Sequence, residues 1–326
     1  MLFLLFHDRE LPVHYIGRYL FKKEAGNIYN YVPNRLSGQI APFYNDARLK
    51  YVLDNKLYFH LFYSHFGINT PKVLAFNHKN LFAFGGNTTT ISSVNDFKAW
   101  LSKIFKQNPN VDSLFLKKIY SSSSGRNVHI IPSHYDEIET PELEFIFQEL
   151  ITSEFVFQQR VKQHPDLSRL NPSSLNTMRI DTFIDQKGNI EIISGFLKMS
   201  TDDNPVDNNT SGGCGVGIDL DMGTLKSNGY SKIKMSGVGI LKEHPVTGVS
   251  FKGFAIPMLE EAKELVLKAA GLMPGLRLIG WDVGISEEGP VLVEGNSDYG
   301  INSNDLMYGG YMTNPVFRRV LDEFRQ

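Results

Sequence analysis

The stretch that most constrains this chain is Gly280 to Asn296, "GWDVGISEEGPVLVEGN", in which two apolar runs flank a polar turn. This pattern folds as an antiparallel hairpin. A three-residue loop of Glu287, Glu288 and Gly289, with glycine supplying the left-handed conformation, sets Asp282 opposite Glu294. The strand period of two puts Glu294 and Asn296 on one face. Two carboxylates side by side on a mostly apolar hairpin repel and resist desolvation, so a cation is expected between them. Asp282, Glu294 and Asn296 are hard oxygen ligands suited to Mg²⁺, which fills the rest of its octahedron with phosphate oxygens and water. The competing reading, a surface hairpin carrying solvated acids, sits poorly with the run "VLVEGN".

A metal held by few protein ligands implies a nucleotide, and the chain offers further groups for phosphates. Lys117 ends the strand-like "DSLFLK" just before "SSSSG", Ser121 to Gly125. A lysine there neutralises an α- or β-phosphate while the N–H groups of the small-residue turn cover the rest. Ser-rich hairpin tips are also commonly just tips. Lys56, in "LDNKLYF", reads by itself as a solvated lysine on a helix.

At 326 residues the chain has room for two or three linked subdomains and an ample core without disulfide or metal staples. Its single cysteine forbids an internal disulfide and points to a reducing compartment. The start, "MLFLLFHDRE", is too short an apolar run for a secretory leader. No window reaches the ~18 uncharged apolar residues of a membrane span. The expectation is a soluble, cytoplasmic protein. A formal charge of -2 with scattered Lys and Arg gives no basic stripe for nucleic acid.

Periodicity predicts mixed α+β structure. Residues up to about Lys50 read as an irregular N-terminal lobe. Asp54 to Phe66 reads as a helix with Asp54 as N-cap, Gly67 as its stop, and Leu57, Leu61, Phe62, His65 and Phe66 as its apolar face. "GGNTTTISS" reads as a loop. Ser93 with Asp96 opens a helix whose apolar face is Phe97, Trp100, Leu101 and Ile104. "DSLFLKKIY" and "RNVHIIP" form a hairpin, Pro141 to about Leu150 a short helix, "EFVFQQRV" a strand and "KQHPDLSRLNPSS" an exposed connection. "LNTMRIDTFI" alternates, with Thr177, Arg179, Asp181 and Phe183 on one face, and "IEIISGFLKM" returns. Pro257 to Ala270 is a helix ended by Gly271.

Other chemistries lack their motifs. The chain has no P-loop, no G-x-G-x-x-G between strand and helix, no H-E-x-x-H or paired cysteines, and no G-x-S-x-G elbow. His60 and His65, five apart, do not share a helix face. Cys214 reads as a small residue packed among glycines, and Arg179 with Asp181, on one strand face, reads equally as a structural ion pair or as site residues.

Taken in order, "DNKLYFHLFYSHFGINTPKV", "LFLKKIYSSSSGRNV", "FVFQQRVKQHPDLSRLNPSSLNTMRIDTF", "VDNNTSGGCGVGIDL" and "LRLIGWDVGISEEGPVLVEGN" resemble the ATP-grasp superfamily, and within it the sugar-transfer-associated, glutamate-ligase-like group. The resemblance runs from roughly Asp54 to Asn302. It implies an α+β fold with two subdomains clamping ATP: a small N-terminal lobe at 1–53, a small ATP-grasp subdomain at 54–155 and a large one at 156–326. It implies that Lys56, Lys117 and the lid residues Ser123, Ser124 and Gly125 contact phosphates. Gln159, Arg160 and Val161 would form the adenine hinge, with Asp282, Glu294 and Asn296 on Mg²⁺. Arg179, Lys198 and Asn208, the last in the 207–213 loop, would act on the acceptor and the transferred phosphate. Lys198 stands where the family's "FLR" pattern offers arginine, and in the simplest register it falls opposite Arg179 unless Gly195 introduces a bulge.

The activity implied is an ATP-dependent carboxylate–amine ligase working through an acyl phosphate in glycan or polysaccharide modification, with ATP and Mg²⁺ as cofactors and a carboxylate and an amine as substrates. Association with glycan-assembly enzymes is a further expectation. Two alternatives use the same site: a kinase for a sugar or other hydroxyl, with Asp181 or Asp207 as base, and a noncatalytic nucleotide-binding partner of a glycan-assembly complex.

Overall fold

The computed structural model describes residues 12–120, 128–135, 138–201, 213–231 and 239–326. The chain forms two compact units, Val52–Val161 and Met1–Tyr51 with Lys162–Gln326. Among the described residues each unit holds one antiparallel sheet.

The N-terminal segment is more helical than its sequence suggests. After the short helix α1 (Pro12–Gly17) and two single 3₁₀ turns comes the eleven-residue helix α2 (Asn34–Tyr44), then α3 (Lys50–Asp54). Pro33 stands at the N-cap of α2 without a capping side chain and Pro42 lies inside it, so the usual start and stop signals are missing. Its buried residues Ser37, Ile40, Ala41 and Tyr44 nonetheless repeat at i, i+3, i+4 and i+7.

The unit Val52–Val161 opens with α4 (Lys56–His65). Asn55, not Asp54, is its N-cap, accepting from Tyr58 N at 2.9 Å, and Gly67 follows it with φ +70°. The predicted apolar face is rotated: Phe59 and Tyr63 are buried, whereas Leu61 and Phe66 are exposed. Strands β1 (Val73–His78), β2 (Leu81–Phe84), β3 (Asn87–Thr90), β4 (Ser113–Lys118), β5 (Val128–Pro132) and β6 (Glu154–Gln159) pair in the order β3-β2-β1-β6-β4-β5. β3 is an exposed edge strand where a loop was expected, and its polar sequence reflects that exposure. Helix α5 (Val94–Gln107) starts at the predicted capping box, Ser93 Oγ accepting from Asp96 N and donating to Asp96 Oδ2 at 2.7 Å. It buries the predicted Phe97, Trp100, Leu101 and Ile104 against Phe82 and Phe157 of the sheet and Phe147 of α6 (Thr140–Thr152). The Trp100 ring lies edge-on to Phe82 and Phe157, centroids 5.0 and 5.1 Å away.

In the larger unit the connection expected to be exposed contains helix α7 (Pro165–Leu170), whose Leu167 and Leu170 are fully buried. Asn176 holds it to the sheet, its Nδ2 donating to Leu167 O. Strands β7 (Thr177–Ile184), β8 (Ile190–Met199), β9 (Cys214–Asp219), β10 (Thr224–Ser231), β11 (Ile240–Leu241), β12 (Leu278–Ser286) and β13 (Gly289–Asn296) pair in the order β11-β10-β9-β8-β7-β12-β13. Helix α8 (Leu259–Gly271) packs on β7, β8, β12 and β13 through Leu259, Ala262, Val266 and Ala269. It begins after Pro257, because Met258 is left-handed at φ 51°, and Gly271 lies in its last turn instead of just beyond it. Helices α9 (Ile301–Tyr308) and α10 (Pro315–Phe324) join α2 over Phe183, Ile193 and Leu278 to form a second core. α9 sits tight on β9 because Gly217 has no side chain; a Cβ there would overlap the Met307 carbonyl oxygen.

Candidate functional site

The hairpin β12–β13 reaches the predicted pairing by an unpredicted route. Its loop has two residues, Glu287 and Glu288, since Ser286 already pairs with Gly289. That register alone would leave Asp282 facing Val293. A bulge at Val293 shifts the ladder by one, so that Val283 pairs with Leu292 and Asp282 with Glu294. Gly280 then pairs with Asn296, and Asp282, Glu294 and Asn296 share a face.

A second bulge decides the place of Lys198. Asp181 pairs with Ser194 and Thr182 with Ile192, leaving Ile193 as the extra residue of β8. The simplest register is corrected by this one step: Lys198 comes opposite Thr177, on the same face as Arg179, and the bulge falls at Ile193 instead of Gly195. The carbonyl left over at the bulge accepts from Asn314 Nδ2 at 2.7 Å. Asn314 also caps α10, its Oδ1 accepting from Phe317 N.

The two bulges bring five polar side chains together on one sheet face. Arg179 grips Asp282 with a fork, Nε to Oδ1 at 2.6 Å and Nη2 to Oδ2 at 3.1 Å, and Lys198 Nζ donates to Oδ2 at 2.6 Å. The cation expected beside the acids is therefore supplied first by the protein. Burial opposes ionisation of Asp282, but Arg179 and then Lys198 outweigh it and hold its carboxyl far below the usual range. Burial likewise works against the Arg179 charge, and Asp282 overcomes it, raising its pKa. Glu294 and Asn296, half-buried, continue the row, with Asn296 Nδ2 3.5 Å from Glu294 Oε1 and 3.3 Å from Gly280 O. The Tyr299 ring lies 5.9 Å from the Arg179 guanidinium carbon. Asn45 ties down both ends of the hairpin: its Nδ2 donates to Leu278 O and Ser297 O and its Oδ1 accepts from Leu278 N.

Arg179 is thus bound to Asp282 and not to Asp181, which corrects the ion pair expected on β7. Asp181 is fully buried. Its Oδ2 accepts from Tyr311 OH at 2.7 Å, from Asn304 Nδ2 and, at 3.5 Å, from Ser194 Oγ, while its Oδ1 has no partner among the described residues. Burial raises its pKa from 3.8 to about 6, against the pull of Arg179. Neither Asp181 as a buried acid nor the clamp residues Asn45, Asn304 and Tyr311 carries a motif; the alternation along β7 put Asp181 on the site face, but its partners Asn304 and Tyr311 lie more than 100 residues away.

The other predicted residues, Asn208 apart, belong to the smaller unit. Lys56 is the first residue of α4, and its backbone N donates to Ile119 O, two residues beyond Lys117 on the chain. Lys117 lies near the end of β4 between Val128 and Val156. The amides of Gln159 and Arg160 are taken by Lys72 O and Ser113 O, and Val161 is the last residue of the unit. Ser123, Ser124, Gly125 and Asn208 lie outside the described residues. Cys214 is buried, as expected, and burial pushes its thiol up to about 12, which removes it as a nucleophile.

The donor set tests the metal expectation. Among the described residues no three His, Cys, Asp or Glu side chains are placed to hold a metal. The candidate ligands are two carboxylates and a carboxamide, hard oxygens that fit Mg²⁺, with Asp282 available once a cation leaves it. No helix among the described residues is long and apolar enough to cross a membrane.

The family model described as sugar-transfer associated ATP-grasp matches residues 35–318. No curated protein matches. Among solved structures, the chain resembles a D-alanyl-alanine synthetase A from Vibrio cholerae O1 biovar eltor at 17% identity, over 83% of this chain and 65% of that one, with a TM-score of 0.45. An N5-carboxyaminoimidazole synthase from Aspergillus clavatus, in complex with ADP and 5-aminoimidazole ribonucleotide, gives 12%, 90%, 58% and 0.47. A D-cycloserine synthetase gives 11%, 96%, 95% and 0.44.

Proposed function

This chain belongs to the sugar-transfer associated ATP-grasp family, and on that premise we propose that it is an ATP-dependent carboxylate–amine ligase, working through an acyl phosphate in glycan or polysaccharide modification. The chain has the ATP-grasp fold, α+β with two antiparallel sheets. The observation that carries the proposal is the meeting of Arg179, Lys198, Asp282, Glu294 and Asn296 on one sheet face, with no activated nucleophile among them. Such a site works by positioning and charge, as phosphoryl transfer requires.

In this reading the subdomain 54–155 holds the nucleotide and 156–326 the reacting groups. Lys56 and Lys117 neutralise phosphates that Ser123, Ser124 and Gly125 also contact, and the backbone of the hinge Gln159–Val161 meets adenine. Asp282, Glu294 and Asn296 would hold Mg²⁺, which when bound would offset negative charge on the phosphates. A substrate carboxylate oxygen attacks the γ-phosphorus and the bond to ADP breaks. Arg179 and Lys198 hold the charged oxygens of the resulting acyl phosphate. An amine then attacks the acyl carbon, loses a proton and expels phosphate, while Asn208 and the 207–213 loop cover the acceptor. No protein nucleophile enters the sequence.

A kinase at the same site needs a general base at the acceptor hydroxyl. Asp181 is unsuited to that role, because it is fully buried and three donors hold one of its oxygens, and Asp207, the other candidate base, lies outside the described residues. The test is incubation with ATP, Mg²⁺ and panels of amino acids and nucleotide uronic acids. Phosphate release and amide formation that require both carboxylate and amine are expected. A phosphorylated hydroxyl formed without amine would establish the kinase, and binding without turnover the noncatalytic role beside glycan-assembly enzymes.

A further inference from the structure

Three facts meet above Gly280. Arg179 uses Nε and Nη2 on Asp282, so Nη1 is the arm outside the fork. Asp181 Oδ1 is buried and unpartnered among the described residues. A Cβ placed on Gly280 would lie 3.0 Å from Arg179 Cδ, 3.1 Å from Asp181 Oδ1 and 3.3 Å from Arg179 Nη1. The spare arm of the cation and the spare oxygen of the acid thus border one small space that exists because residue 280 has no side chain.

That arrangement has a use if Asp282 changes partner. A metal entering the coordination sphere of Asp282 is repelled by the arginine and the lysine already on that carboxylate, so one of the two is expected to leave. Whichever cation leaves must not become a buried, unpaired charge, which is among the most unfavourable states a protein interior can hold. Lys198, on the central strand β8 with 17% of its side chain exposed, can pass to phosphate oxygens. Arg179, more enclosed, needs a second acceptor on its own strand. A buried carboxylate oxygen without a donor is itself unfavourable, so Asp181 Oδ1 is an acceptor that gains from the arrival of a guanidinium.

We propose that Asp181 is that second seat: when the metal of a bound nucleotide claims Asp282, the Arg179 guanidinium turns across the gap over Gly280 to Asp181 Oδ1 and stays on the site face as the phosphate-holding cation. This rests on the metal site of the ligase reading. Asp181 is a positioning residue, acting on phosphate through Arg179. Asn304, Tyr311 and Ser194 fix its other oxygen and so keep Oδ1 aimed at the gap.

The experiment is a calorimetric titration of a nonhydrolysable ATP analogue at a series of Mg²⁺ concentrations. In Asp181→Asn, metal-free affinity should stay within about twofold of the parent while the Mg²⁺ midpoint rises about tenfold, and in an Arg179→Met background the same change should shift nothing. An Asp181→Asn midpoint equal to the parent's, or an equal shift in both backgrounds, would overturn the proposal. If Asp181→Asn does not fold, Gly280→Ala fills the gap and is expected to raise the midpoint alike; an unchanged midpoint there overturns it as well. A parent whose nucleotide binding ignores Mg²⁺ removes the ligase reading's metal site and this inference with it. A Mg²⁺-dependent parent with an indifferent Asp181→Asn removes the inference alone.

Discussion

Lys198 Nζ lies 2.6 Å from Asp282 Oδ2, on the carboxylate whose other oxygen Arg179 Nε holds at 2.6 Å. Strict alternation along β8 would have sent this lysine to the opposite face; the extra residue Ile193 turns it back. One acid with two cations is a site loaded with positive charge before any phosphate arrives, and its behaviour can be tested residue by residue.

Removing one partner of a buried ion pair leaves the other uncompensated. Asp282→Asn should destabilise the protein by about 3 kcal/mol, because Arg179 and Lys198 then keep their charges without the acid they share. Adding Arg179→Met should recover part of the loss, because one of the two unpaired cations is then gone. Denaturant unfolding of both variants reads this directly, and a double variant no better than the single one would show that the pair is not coupled.

Asn45 satisfies three backbone groups at the two ends of the site hairpin. Asn45→Ala leaves all three buried without partners, and a loss of about 3 kcal/mol is expected. Hydrogen exchange should localise the loosening to Leu278 and its neighbours, while β4 and β6 of the other unit keep their protection.

The pH dependence of stability follows from Asp181. Its pKa rises on folding from 3.8 to about 6, so between these values the native state binds more protons than the unfolded chain. Stability attributable to this group therefore falls as pH rises from about 4 to about 6, by on the order of 3 kcal/mol, and is flat outside that window. Asp181→Asn should remove this slope. Thermal melts across the window, parent against variant, are the measurement.

Two glycine substitutions should act in opposite directions. Gly217→Ala drives a Cβ into the Met307 carbonyl of α9 and should cost several kcal/mol, roughly 3 or more, since backbone cannot move aside cheaply. Gly38 is exposed inside α2 with open space where a Cβ would go, and Gly38→Ala should stabilise by about 0.5–1 kcal/mol through helix propensity. Chemical unfolding of the two single variants is sufficient.

What the sequence made legible was local. The Ser93–Asp96 capping box, the α5 stripe and the alternation of β7 are short-range patterns, and each appears as read. Asp282 opposite Glu294 also appears, although the loop length assumed and the Val293 bulge omitted were two errors of one residue that cancelled. No such cancellation helped Lys198, because a bulge is a tertiary decision: Ile193 can leave the ladder only because Asn314, 121 residues on, receives its carbonyl. The face of α4 was misread because Leu, Phe and Tyr occur all round it, so composition could not say that Phe59 and Tyr63 point inward. Asn45 was silent, and Asp181 was read only as an ion-pair partner of Arg179 or a base, for a like reason, since single polar residues take their meaning from groups distant in the chain.

The central claim is that Asp282, Glu294 and Asn296 hold the metal of a bound nucleotide. Thermal denaturation with a nonhydrolysable ATP analogue, with and without Mg²⁺, in the parent and in Glu294→Gln, tests it most directly. At a ligand concentration near 100 times Kd the parent should gain about 2.7 kcal/mol, with Mg²⁺ required for most of it, and Glu294→Gln should lose the Mg²⁺-dependent part while keeping its own melting temperature. A Mg²⁺-dependent stabilisation undiminished in Glu294→Gln, or a parent indifferent to Mg²⁺, would contradict the account.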